Sequence, residues 1–276
     1  MTRAAVIVLG ALPWGVAVAR AAYAQGDARA APIADNSFLI EEAYNQERGV
    51  VQHINTLSWP RGSGSWVYAF TQEWPITGQR HQLSYTVPVV HENAGDTRIG
   101  DVSINYRYQL MGTEGRVSVA PRVTIIAPKG SAAAGTGAGG VGLQANLPVS
   151  AAVASWLVTH ANAGFTVTPS AANGAGDRAT STAFNLGASA IWQPRPTFNV
   201  MLELAWSHSE TVVGPGVTTG ERQLLVSPGL RWAHNFANGL QIVPGIAFPF
   251  GVGPSRGTDA VFVYLSFEHP LRRVAP

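Results

Sequence analysis

Three groups of residues in this chain of 276 could carry covalent or ligand chemistry. His208-Ser209-Glu210 holds the residue types of a hydrolytic triad, where a histidine base must reach a serine hydroxyl and a carboxylate must orient the histidine. In an extended strand, neighbouring side chains point to opposite faces, so His208 and Ser209 would not meet. The histidines at 53, 81, 91, 160, 208, 234 and 269 show no metal-ligand spacing. The chain has no Cys, which removes thiolate metal sites, disulfides and a cysteine nucleophile. Gly135-Thr136-Gly137-Ala138-Gly139-Gly140 lacks a following Lys-Ser/Thr and a helix, so it reads as a flexible loop and not a phosphate cradle. No catalytic residue, metal site or cofactor is expected.

What remains chemically interesting is a set of charges on strand faces: Asp101, Arg107, Arg116, Arg122, Glu203, Arg231 and Glu268. If the strands close into a barrel, these point inward, where lining charges set a pore's selectivity or pair across strands and hold the interior together. A tight turn at Gly112 to Glu114 would place Arg122 near Ser103, one diagonal step from Asp101. Arg107 and Arg116 would then lie nearer the periplasmic mouth with no acid in the same hairpin, as an unpaired positive field.

The elements that must position these charges are legible as alternation. From Val50 onward the chain breaks into about twelve segments of about 10 to 16 residues, divided by Gly, Pro, Asn and Asp, the signature of transmembrane barrel strands. In Arg98 to Met111, Val102, Ile104, Tyr106, Tyr108 and Leu110 share one face, while Asp101, Ser103, Asn105, Arg107 and Gln109 share the other. Val117, Val119, Val123 and Ile125 repeat this against Arg116, Ser118, Arg122 and Thr124. Two more series follow, Phe198, Val200, Leu202, Leu204 and Trp206, then Leu224, Val226, Leu230 and Trp232. A soluble β-sandwich alternates too, but its strands average about five or six residues. Pro88, Pro121, Pro228 and Pro244 each remove a ladder donor and are expected at bulges.

Connectors alternate as well. Pro60 to Gly64, His91 to Thr97, Pro128 to Thr136, Pro169 to Ala179, Ser209 to Thr219 and Gly251 to Gly257 read as mostly long and Gly-rich. Thr77 to Gln79, Gly112 to Glu114, Pro148 to Ala151, Pro194 to Pro196 and Asn235 to Asn238 read as short. Outer-membrane barrels have long extracellular loops and short periplasmic turns, which puts both termini in the periplasm. Aromatic girdles are expected at the two interfaces. Trp74, Trp156, Trp192 and Trp232, with Tyr108, Phe198 and Phe267, would form the periplasmic ring; Trp59, Trp66 and Trp206, with Phe165 and Phe248, would form the outer one.

Composition agrees. Charged residues are 12%, against about 25% in soluble domains, so something other than water covers part of the surface. Arg3, the apolar run Ala4 to Ala19 and Ala22-Tyr23-Ala24 lay out a secretory signal cleaved after Ala24. Cleavage would remove Arg3 and Arg20, leaving 16 basic residues of the original 18 against 16 acids, and a neutral chain is a poor partner for nucleic acid. No later apolar stretch reaches the length of a membrane helix.

Between signal and barrel, residues 25–49 differ in kind. Asp35, Asn36 or Ser37 could cap a short helix through Phe38 to Glu47, which would plug the lumen or lie at its periplasmic mouth; a flexible lead-in is the alternative. Asp35-Asn36-Ser37-Phe38-Leu39-Ile40-Glu41-Glu42-Ala43-Tyr44-Asn45-Gln46-Glu47, followed by Gly49-Val50-Val51-Gln52-His53-Ile54, resembles the opening of a family of outer-membrane barrels named for the meta-pathway of phenol degradation and labelled transporters. The resemblance implies an outer-membrane barrel and passage of small aromatic or other hydrophobic compounds, and carries no set of functional residues. Tyr264-Leu265-Ser266-Phe267 looks like a C-terminal assembly signal, with Glu268 to Pro276 trailing beyond it.

The sequence therefore predicts an all-β protein: a closed antiparallel transmembrane barrel of about twelve strands over 50–270, after a signal peptide at 1–24 and the segment 25–49, with a tail at 271–276. The expected activity is a channel or uptake barrel for small solutes, set in lipid and lipopolysaccharide by the barrel-assembly machinery. A structural envelope barrel and an outer-membrane hydrolase are the alternatives.

Overall fold

The computed structural model describes residues 33–93, 95–112 and 114–270. The expected signal at 1–24 and the tail at 271–276 lie outside the described residues.

Each strand pairs with its sequence neighbour. We number the staves β1 (Val50–Pro60), β2 (Trp66–Pro75), β3 (His81–His91), β4 (Thr97–Ile99 and Val102–Tyr108), β5 (Val117–Val119 and Arg122–Ala127) and β6 (Gly142–Ala154). Then come β7 (Leu157–Ala172), β8 (Arg178–Arg195), β9 (Phe198–Gly214), β10 (Val217–Trp232), β11 (Gln241–Ala247 and Phe250–Gly251) and β12 (Ala260–Pro270). β12 pairs with β11 on one side and, from Ala260 opposite Pro60 to Pro270 opposite Val50, with β1 on the other. That last pairing closes a barrel of 12 antiparallel strands and leaves no free edge.

The barrel is inside-out relative to a soluble protein. On β9, Leu202 and Leu204 are 54% and 48% exposed, while Glu203 between them is fully buried. Ile104, Val123, Ile125, Leu143 and Leu147 likewise face outward, and Asn105, Arg107, Thr124 and Asn146 are buried inside. Period two separates the sets because one face meets hydrocarbon and the other a lumen where polar groups find partners.

Prolines mark where staves break. Pro121 lies between the two pieces of β5. Pro88 accepts from Gly100 N–H at the gap in β4, and Pro228 accepts from Phe248 N–H at the gap in β11. Pro244 departs from the expected bulge, since it pairs in register with Leu265.

Three expectations about local structure are corrected. Pro148 to Ala151 is not a turn: it lies within β6, and the reversal comes at Ser155-Trp156. Ser209–Gly214 and Val217–Thr219 are strand, leaving Pro215-Gly216 as the whole connector, so 128–141 is the main long loop among the described residues. Phe38 to Glu47 is not a helix. Residues 33–49 run as an irregular chain inside the barrel, with Ile33, Ile40, Ala43 and Asn45 buried. A helix would spend its N–H groups on its own carbonyls; here they are spent on the wall. Ser37, a candidate cap, instead shares a 2.6 Å hydrogen bond with Ser189. The wall makes room with glycine: a Cβ on Gly245 would lie 2.6 Å from Phe38 Cζ, and one on Gly187 would collide with Ile40 Cδ1.

Candidate functional site

The site is the lumen with the segment that occupies it. The segment enters beside the β8–β9 turn, where Ile33 N–H donates to Pro196 O at 2.7 Å. It runs on through Phe38 to Glu41 and joins β1 at Val50. Phe38 packs against Phe262 and Tyr264, with ring centroids 5.4 and 5.3 Å away. Wall side chains satisfy the backbone in sequence. Glu203 Oε1 accepts from the N–H groups of Phe38, Leu39 and Ile40 at 2.9, 2.7 and 3.2 Å. Ser150 Oγ takes Ala43 N–H at 2.8 Å, Gln109 takes Asn45 N–H at 2.8 Å, and Gln82 takes Gln46 N–H at 2.6 Å. Asn199 donates to Ala34 O at 3.0 Å, and Arg231 donates to the same carbonyl.

The central charges form a compact network. Arg107 and Arg122 stand directly opposite each other on β4 and β5. Arg122 Nε lies 2.8 and 2.9 Å from the two Glu41 oxygens, Arg107 Nη1 lies 3.3 Å from Oε1, and Asn146 Nδ2 donates to Oε2 at 2.6 Å. Arg107 also donates to the carbonyls of Glu42 and Tyr44, at 3.1 and 2.5 Å, and to Asn45 Oδ1 at 3.0 Å. Burial would raise the Glu41 carboxyl, but the Arg122 and Arg107 guanidiniums outweigh it and hold it below the usual carboxylate range. Burial pushes Glu42 up to about 7, with Arg107 opposing and Glu73 and Glu41 adding to the rise.

Of the residues singled out from sequence, Arg107, Arg122, Glu203 and Arg231 come together around the inserted segment. Glu268 joins at one remove: it accepts from Gln52 at 2.6 Å, and Gln52 accepts from Gln46. Asp101 does not pair with Arg122. Its carboxylate accepts from Gly130 N–H at 2.9 Å and Ala138 N–H at 2.7 Å, pinning the 128–141 loop at the far rim. The expected register fails because Ser103 lies opposite Ile126 and not Arg122. Arg116 is exposed at the start of β5, beside Val117 and away from the inserted segment's anchors named above. Trp74, Trp156, Trp192 and Trp232 lie at the barrel end that holds Val50 and Pro270, and Trp59 and Trp66 at the opposite end. Trp206 sits mid-strand, because β9 runs on to Gly214.

No triad assembles at His208. Its Nδ1 faces Glu221 O at 3.1 Å, and Glu210 accepts from Thr182 N–H and hydroxyl at 2.9 and 2.6 Å. A different pair, not evident in the sequence, does come together: Ser150 Oγ lies 2.7 Å from His160 Nδ1, and His160 Nε2 lies 2.8 Å from Asp35 O. Both serve as anchors for the segment. Their inward parity on β6 and β7 was readable; what they would meet was not.

No family model and no curated protein matches the chain. Among solved structures it is similar to a NanC porin, at 8% identity and TM-score 0.54, over 78% of this chain and 98% of that one. It is also similar to an outer membrane channel from Pseudomonas putida F1, at 11% identity and TM-score 0.54, over 82% of this chain and 97% of that one. The fold is that of a bacterial outer-membrane β-barrel. With its apolar belt turned to lipid, the barrel belongs in the outer membrane. Beside the inserted segment the barrel keeps a cavity of about 350 Å³, bordered by Phe38, Glu41, Arg107, Arg122, Gln144 and Tyr264.

Proposed function

We propose that this barrel is an outer-membrane channel for the uptake of small molecules, held shut by residues 33–49. The observation that carries the reading is what fills the lumen. A barrel that serves only as a scaffold can fill its interior with side chains of its own wall. Here a tethered segment does so, held by hydrogen bonds that its backbone N–H groups donate to wall side chains, and such an occupant can leave without unfolding the staves. The barrel-assembly machinery would insert it, with lipopolysaccharide around its outer face. The resemblance of Asp35 to Glu47 to the meta-pathway family adds small aromatic or hydrophobic compounds as the solute class.

Planar-bilayer conductance tests this reading. Deleting Asp27 to Arg48 should raise single-channel conductance well above that of the full chain while the protein still runs as a compact, heat-modifiable barrel. If the assembled deletion variant conducts nothing, the channel reading fails and the structural-barrel alternative stands.

A further inference from the structure

Two guanidiniums at one register position repel each other unless an anion lies between them. Glu41 is that anion, and the wall supplies the donors it meets: Arg122, Arg107 and Asn146. Withdrawing residues 33–49 would take away the acceptors of Arg107 named above and leave it beside the wall carboxylate of Glu73, 3.7 Å away. Arg122 is held independently of the segment, because it also donates to Asn105 Oδ1 at 2.8 Å, to Gln144 Oε1 at 3.0 Å and to Thr124 Oγ1. A guanidinium fixed in plane matches a carboxylate in geometry as well as charge. The cavity of about 350 Å³ opens against Glu41, Arg107 and Arg122 and runs on to Phe38 and Tyr264. That volume lies at the lower end of small-molecule sites, which start near about 300 Å³.

We infer that Arg107, Arg122 and Asn146 form a binding cradle for small organic carboxylates, and that Glu41 occupies it as the chain's own stand-in for a solute carboxylate. A solute and Glu41 compete for one set of donors, so solute binding favours withdrawal of the segment and withdrawal favours binding, by the same factor. The inference rests on the channel reading for the route by which solute arrives, and it gives the arginine pair a use that pure scaffolding does not need.

Sodium benzoate is the probe, benzamide its uncharged counterpart, and the full-length protein in detergent at pH 7 the sample, with binding followed by calorimetry. Glu41→Gln keeps the side-chain volume and removes the competing charge, so benzoate should bind about tenfold or more tightly than to the wild type, the worth of a charge-assisted contact. Benzamide should gain nothing, and adding Arg122→Gln should abolish the gain. If that double variant does not assemble, Arg122→Lys replaces it; lysine keeps the charge without the fork and should lose most of the gain. Equal benzoate affinity in wild type and Glu41→Gln, an equal gain for benzamide, or a gain that survives loss of the Arg122 guanidinium overturns the cradle. Binding is read without transport, so a barrel that shows the gain but conducts in no variant refutes the channel and spares the cradle. A conducting barrel without the gain does the reverse.

Discussion

Replacing Glu203 by Ala should release the inserted segment. Its fully buried carboxylate accepts three consecutive backbone N–H groups, from Phe38, Leu39 and Ile40, through one oxygen. Leaving a buried donor without an acceptor costs about 1 to 3 kcal/mol. The Ile40 donor is buried and those of Phe38 and Leu39 are half-buried, so each is counted at the low end, and the resulting total of about 3 kcal/mol shifts the equilibrium between inserted and withdrawn segment about a hundredfold, at 1.4 kcal/mol per factor of ten. Glu203→Gln keeps a side-chain carbonyl acceptor and should show only a small part of this effect. The chain has no cysteine, so Ala43→Cys gives a single thiol at a position that is fully buried when the segment is inserted. Its labelling by a water-soluble maleimide then reports withdrawal. Glu203→Ala should raise that rate about a hundredfold, and a rate unchanged in a barrel that still shifts on heating would refute the anchoring role assigned to Glu203.

Three further outcomes are expected. Glu41 is held below the usual carboxylate range when inserted and contributes little slope well above that range, whereas Glu42, raised to about 7 when inserted, binds more proton there than in the withdrawn segment. The inserted state should therefore weaken as pH rises toward about 7; divided by the rate of an exposed model thiol at the same pH, because the thiolate fraction itself rises with pH, labelling of Ala43→Cys should be faster at pH 8 than at pH 5.5, and Glu42→Gln should reduce that difference. Asp101→Ala removes two charge-assisted bonds to the 128–141 loop, so trypsin should cut after the exposed Lys129 faster than in the wild type, and an unchanged rate would dismiss Asp101 as the loop's anchor. Leu202→Arg should cost about 2 to 4 kcal/mol of folding free energy measured in lipid vesicles, while a cost below about 0.5 kcal/mol would show that Leu202 does not face the bilayer midplane.

The lipid-facing and inward faces of the staves were legible residue by residue, because alternation is a local pattern and a strand has no other way to give one face to hydrocarbon and one to a polar lumen. The Leu202-Glu203-Leu204 run states its facing without any knowledge of its neighbours. Barrel closure followed from the number of such runs, since open edges do not survive in lipid. Strand ends were less legible. Polar and glycine-containing stretches such as Ser209 to Thr219 read as loop, yet they continue the ladder to a two-residue turn, because hairpin pairing needs backbone groups and not apolar side chains.

Register and lumen filling were decided by the tertiary structure alone. The placement of Arg122 opposite Arg107 depends on Val119 bridging Met111 and on the break at Ala120-Pro121 that follows, an offset that alternation along the β4–β5 hairpin does not record. The conformation of residues 33–49 depends on still more distant groups. Asp35 to Glu47 reads as a capped helix in isolation, but its N–H groups meet Glu203 across separations of 163 to 165 residues, and Ser150 across 107. A buried backbone donor takes whichever acceptor the closed barrel presents, and no local spacing records where that acceptor will be.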